Sequence, residues 1–89
     1  MGQKVLVADN SGTMRKIIVR SLNAVGFDDV IEAKDGEDAL EKFSENKIDI
    51  VLTDWNMPNK SGLEVLKGIR AQGSNVPVIM IPRSLKSGV

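Results

Sequence analysis

Four short apolar runs punctuate the chain, at residues 4–8, 29–33, 48–54 and 76–81. Each is too short for a helix, and together they are rich in β-branched side chains, so each predicts a strand. The third, Ile50-Val51-Leu52 stopping at Thr53-Asp54, lacks polar alternation and is expected to be buried on both faces. The second, Asp29-Val30-Ile31-Glu32-Ala33, is partly polar and fits a sheet edge. Pro58 closes the third run, because it cannot continue a ladder and biases Met57 toward an extended or turn conformation.

Helical periodicity fills the gaps between runs. Met14, Ile17, Ile18, Leu22 and Val25 form one stripe behind the cap candidates Ser11, Gly12 and Thr13, with Arg15, Lys16, Arg20 and Asn23 outside it and Gly26 at its end. Asp35 is expected to cap a second helix that turns Ala39, Leu40 and Phe43 inward. Ser61-Gly62-Leu63-Glu64 reads as a capping box before a third helix with Leu63, Leu66 and Ile69 inward.

Three strand–helix units and a fourth strand, joined by short connections, predict an α/β fold with a parallel sheet and right-handed crossovers, as one domain over residues 1–89. The fourth strand is apolar on both faces, and little chain follows it. Each side chain left wet there forgoes on the order of 1.5–3 kcal/mol, and an apolar edge is a template for pairing. The sheet is therefore expected to be completed by self-association, giving a homo-oligomer rather than a free monomer.

Composition narrows the chemistry. Twelve basic residues balance twelve acidic ones, so no net field draws nucleic acid or an anionic membrane, and neither partner is expected. Cysteine and histidine are both absent, which excludes disulfides, thiolate and imidazole catalysis, and the usual zinc sites. Carboxylates, amides and carbonyls remain, and these suit hard ions such as Mg2+. No segment has the apolar length of a membrane span and no signal-peptide pattern opens the chain, so a cytoplasmic protein is expected.

Asp54 falls at the carboxyl end of a buried strand, the place where open parallel sheets do their chemistry. A lone aspartate before a turn is ordinarily just a solvated turn residue; here Asp9 ends the first strand in the same way. If those strands are neighbours, the two carboxylates repel unless a proton or a cation lies between them. Mg2+ accepts such a pair with carbonyls and water, so the expected ligands are Asp9, Asp54, the Asn10 side chain and the Asn56 backbone carbonyl. With its charge screened in this way, Asp54 is the nucleophile for phosphoryl transfer. Asn10 reads equally well as a helix cap.

Val5-Leu6-Val7-Ala8-Asp9-Asn10, Thr13-Met14-Arg15, Glu32-Ala33-Lys34-Asp35-Gly36 and Asp54-Trp55-Asn56-Met57-Pro58-Asn59, with Gly62 beyond, resemble the receiver domain of two-component response regulators, the single-domain chemotaxis type in particular. The resemblance runs from about Lys4 to Ile81. It implies a flavodoxin-like sheet of strand order 2-1-3-4-5. It also implies a phosphoacceptor at Asp54, charged in the presence of Mg2+ by a histidine kinase or a small phosphodonor. Such a domain signals and is not an enzyme acting on an external substrate.

Asp9 matches the first of the family's acidic pair, and Asn10 replaces the second, so weaker ion binding is expected. Pro82 stands in place of a hydroxyl residue, with Ser84 two positions away. The family's lysine at the end of strand five has no match, Lys86 included. The chain is accordingly expected to be a receiver truncated after the fourth strand, with four strands, three helices and an impaired output switch.

Other readings stay open. A vestigial or engineered receiver fragment would serve as a self-assembling structural module. A flavin binder would use Asn10-Ser11-Gly12-Thr13 as a phosphate loop, though three aromatic residues offer little stacking. An aspartyl phosphatase wants a carboxylate two residues past its nucleophile, where Asn56 stands. Trp55 reads as a partner contact or a cap over the pocket, with packing the expected role. Arg15 and Lys16 could attract a phosphodonor, although charges on an outward helix face are expected to be solvated.

Overall fold

The computed structural model describes residues 2–81. Its elements are β1 (Lys4–Ala8), α1 (Gly12–Ala24), β2 (Asp29–Ala33), α2 (Gly36–Glu45), β3 (Ile50–Asp54), α3 (Gly62–Ala71) and β4 (Val78–Ile81). These are the units that the apolar pattern predicts. All strand pairs are parallel, in the order β2-β1-β3-β4, so β2 is an edge and β1 and β3 are central neighbours.

The direction of travel across the sheet reverses after β2. α1 carries the chain outward from β1 to β2, whereas α2 and α3 carry it back past β1 to β3 and then to β4. Right-handed crossovers therefore place α1 on one face and α2 with α3 on the other. The main core lies on the two-helix face, where Leu6, Ala8 and Val51 meet Ala39, Phe43, Val65 and Ile69. Val5 and Val7 alternate to the α1 face and are buried just as fully.

Local chemistry sets the helix ends. The hydroxyl of Ser11 accepts from Met14 N–H at 3.2 Å, and Asp35 accepts from Asp38 N–H at 2.7 Å. Ser61 and Glu64 form the full reciprocal capping box. α1 stops at Gly26 (φ 102°), whose N–H donates to the Asn23 carbonyl at 3.1 Å while Phe27 N–H donates to Leu22 at 2.9 Å. That pair of bonds is a Schellman cap, and glycine takes its left-handed position without strain.

Some expectations about faces need correction. In α3 the buried stripe is Val65 and Ile69, and Leu63 is exposed. At 3.6 residues per turn Leu63 lies about 120° around the helix from Ile69, so the two cannot share a face. β4 begins at Val78 rather than Val76: Pro77 has no N–H to donate, although its carbonyl accepts from Val51 N–H at 3.0 Å. α1 buries no residue completely, and two members of its predicted stripe, Ile17 and Val25, are exposed.

One helix alone lies on that face among the described residues. Accordingly Val78 packs into the main core on one side of β4, while Ile79 on the other is 51% exposed. Pro82, Ser84 and Lys86 lie outside the described residues.

Candidate functional site

The register between β1 and β3 pairs Ala8 with Thr53. Asp9 and Asp54 are the next positions along, so they end adjacent parallel strands at a spacing of roughly 5 Å between backbones. They are 0% and 4% exposed. The pocket also falls where the order of strands reverses. There the loops leave for opposite faces of the sheet and open a crevice at the strands' carboxyl ends.

Asp9 is held from several sides. Its N–H donates to the Ala33 carbonyl at 3.1 Å, which keeps it in line with β2. Oδ1 accepts from Ser11 N–H at 2.9 Å. Its own carbonyl accepts from Arg15 Nη1 at 2.7 Å, and Arg15 Nε donates to Glu32 Oε1 at 3.0 Å. The expectation that Arg15 is merely solvated is therefore wrong. α1 turns Arg15 back over β1 to bridge the acidic strand end to β2, and Lys16 approaches the same Glu32 at 3.8 Å. Ser11, not Asn10, caps α1, which leaves Asn10 exposed at the pocket rim.

Asp54 is the last residue of β3, and Thr53 Oγ1 donates to its carbonyl at 3.1 Å. Behind it the chain returns closely. Gly62 N–H donates to the Trp55 carbonyl at 3.0 Å, and a Cβ on Gly62 would stand 2.5 Å from the Asp54 carbonyl oxygen and 2.8 Å from Met80 Sδ. The residues after Asp54 thus form a closed loop. Met57 packs inward against the core, while Asn56 is exposed. Trp55 is 51% exposed beside the pocket, which corrects the expectation of a packed ring.

Of the four predicted metal ligands, Asp9 and Asp54 share the buried strand ends, and Asn10 and Asn56 stand exposed just past them. Among the described residues no group of three or more His, Cys, Asp or Glu side chains is placed to hold an ion. Two carboxylates, backbone carbonyls and water are what these strand ends could offer an ion. That donor set fits Mg2+, which keeps several waters, and not an all-protein Ca2+ cage.

Fold and pocket together define a parallel α/β domain with an acidic site at its topological switch point. The model of the response regulator receiver domain family matches residues 5–87, and the chain belongs to that family. It is 44% identical over 81 residues to chemotaxis protein CheY1 of Helicobacter pylori, covering 88% of this chain and 65% of that protein. It is 43% identical to a chemotaxis protein CheY homolog of Campylobacter jejuni, covering 88% and 62%. The chain thus spans less than two thirds of the length of these relatives.

Among solved structures, the Francisella response regulator 1452 receiver domain matches with a TM-score of 0.84 and 36% identity, over 91% of this chain and 66% of that one. The CheX-CheY-BeF3-Mg+2 complex from Borrelia burgdorferi matches with a TM-score of 0.84 and 34% identity, over 90% and 61%. No helix among the described residues is long and apolar enough to cross a membrane.

Proposed function

We propose that this receiver accepts a phosphoryl group on Asp54 in CheY-type two-component signalling, with Mg2+ held by Asp9, Asp54, the Asn56 carbonyl and the Asn10 side chain. The observation that carries the reading is the burial of Asp54 beside Asp9 at the ends of neighbouring strands. A carboxylate oxygen of Asp54 attacks phosphorus and forms the new O–P bond. The P–N bond of a kinase phosphohistidine, or the P–O bond of a small acyl phosphate, breaks as it forms. When bound, the ion supplies neutralisation of the charge that gathers on the phosphoryl oxygens. Asp9 is the fixed carboxylate, because Ser11 N–H orients its side chain and Arg15 holds its carbonyl.

The similarity to the Borrelia complex, whose name includes both BeF3 and Mg+2, supports the same assignment. Pro82 in place of a hydroxyl residue favours a weak response to the phosphoryl group once it is attached. Incubation with an acyl phosphate and Mg2+, read by intact mass, tests the proposal. Wild type is expected to gain one phosphoryl group and Asp54→Asn none. Gain on Asp54→Asn, or no gain on wild type, refutes it.

The exposed Ile79 supports a second, compatible reading, in which two copies associate through the α1 and β4 side of the sheet. Sedimentation across a concentration series tests it, and a folded monomer at every concentration removes it.

A further inference from the structure

Among the described residues Asn59 is the one non-glycine with positive φ, at 71°. With the Lys60 N–H donating back across it to the Pro58 carbonyl at 2.8 Å, Asn59 is the centre of a γ-turn of the positive-φ kind, which is rare and strained. The side chain is also committed. Asn59 Nδ2 donates to Asp35 Oδ2 at 2.8 Å, while Asp35 Oδ1 accepts from Asp38 N–H at 2.7 Å as the cap of α2. A single carboxylate therefore joins the start of α2 to the tip of the loop that follows Asp54.

Two further contacts tighten this junction. Gly36, the first residue of α2, lies against Lys60 so closely that a Cβ there would overlap the Lys60 carbonyl. Gly62 N–H closes the base of the loop on the Trp55 carbonyl at 3.0 Å. Asn59 is exposed and adds nothing to the core, so coverage of apolar surface does not explain its conformation.

We propose that Asn59 is a positioning residue for the acidic pocket. Held by Asp35, it sets the path of residues 55–61 and so the place of the Asn56 carbonyl relative to Asp9 and Asp54. What the loop is positioned for rests on the phosphoacceptor reading. The contact itself does not. Coupling of this kind is reciprocal, so an ion in the pocket should also steady the start of α2.

A donor–acceptor exchange tests the role. Asn59→Asp sets two carboxylates against each other, and Asp35→Ser keeps a cap for α2 but leaves a side chain too short to accept from Asn59. Each is expected to weaken Mg2+ binding, read by Trp55 emission, by about tenfold, as loss of an outer partner of a metal site typically does. The double variant D35N/N59D restores one donor, one acceptor and the wild-type net charge, and is expected to recover the affinity. Asn59→Gly keeps the positive-φ turn without the amide, so it should weaken Mg2+ binding while unfolding near the wild-type temperature.

Amide exchange at Lys60 and Gly62, measured without metal, should rise in the single variants and fall again in the double. Single variants that bind Mg2+ as wild type does, or a double variant no better than the worse single, overturn the proposal. A wild type whose emission ignores Mg2+ instead refutes the metal site on which it rests, and wild-type exchange data then show separately whether the junction is ordered.

Discussion

Asp9 and Asp54 end adjacent parallel strands one register step beyond the Ala8–Thr53 pair, and both are buried. Like charges so placed are stable together only with compensation. The neighbouring elements can be understood from that demand: Arg15 over the backbone of Asp9, Ser11 at its carboxylate, and a closed loop behind Asp54.

Arg15 should matter for stability even though it lies on a helix face that reads as solvated. Replacing it with leucine removes the bonds to the Asp9 carbonyl and to Glu32. The expected loss is about 2 kcal/mol, the scale of hydrogen bonds made by a charged group. Urea denaturation of Arg15→Leu measures it. Unchanged stability would show that the bridge is incidental.

Gly62 allows the chain to fold back against Asp54. In Gly62→Ala the new methyl meets the Asp54 carbonyl oxygen at 2.5 Å and Met80 Sδ at 2.8 Å. The sulfur can move and the carbonyl cannot, so a cost of about 1–3 kcal/mol is expected, as for overpacking generally. The thermal midpoint reports the cost, and a rise in midpoint contradicts it.

Asp38 predicts a pH dependence. Burial favours its neutral form, but the Lys42 ammonium at 2.7 Å, the Lys34 N–H at 3.0 Å and the charges of both lysines outweigh burial and hold its pKa below the ordinary 3.8. A carboxyl that binds its proton less tightly when folded stabilises the fold above its unfolded value and loses that contribution as pH falls through the folded value. The stability difference between wild type and Asp38→Asn should therefore be flat above about pH 5 and shrink below about pH 4. A difference of the same size at both ends of this range would remove Asp38 as its source.

Much of this was open to reading along the chain, and the rest was not, for a physical reason. Apolar runs that stop at Asp9 and at Asp54 mark strand ends directly, and Asp35 and Ser61 announce their helices by cap chemistry. Which face a helix buries is harder to read, because Leu63 and Val65 are both apolar and the sheet decides between them. The Arg15–Glu32 and Asn59–Asp35 bonds join residues 17 and 24 positions apart. No local pattern announces either bond. Glu32 becomes reachable from α1 once β2 lies beside β1, and Asp35 becomes reachable from the loop after Asp54 once β3 lies on the far side of β1.

Ile79 carries the prediction about association. Half exposed on β4, it adds little to the stability of one copy, so Ile79→Lys should change the unfolding free energy by no more than about 0.5 kcal/mol, the range of ordinary surface substitutions. If two copies meet through this side of the sheet, the same substitution should shift sedimentation to the monomer. Identical sedimentation of wild type and variant would separate Ile79 from any association that occurs.

Calorimetric titration of the metal-free protein with Mg2+, in parallel with Asp9→Asn, tests the central claim most directly. Wild type should bind one ion, and Asp9→Asn, folded but with one carboxylate fewer, should bind it far more weakly. Wild type that binds no ion, or an Asp9→Asn variant that binds as tightly as wild type, would contradict the account.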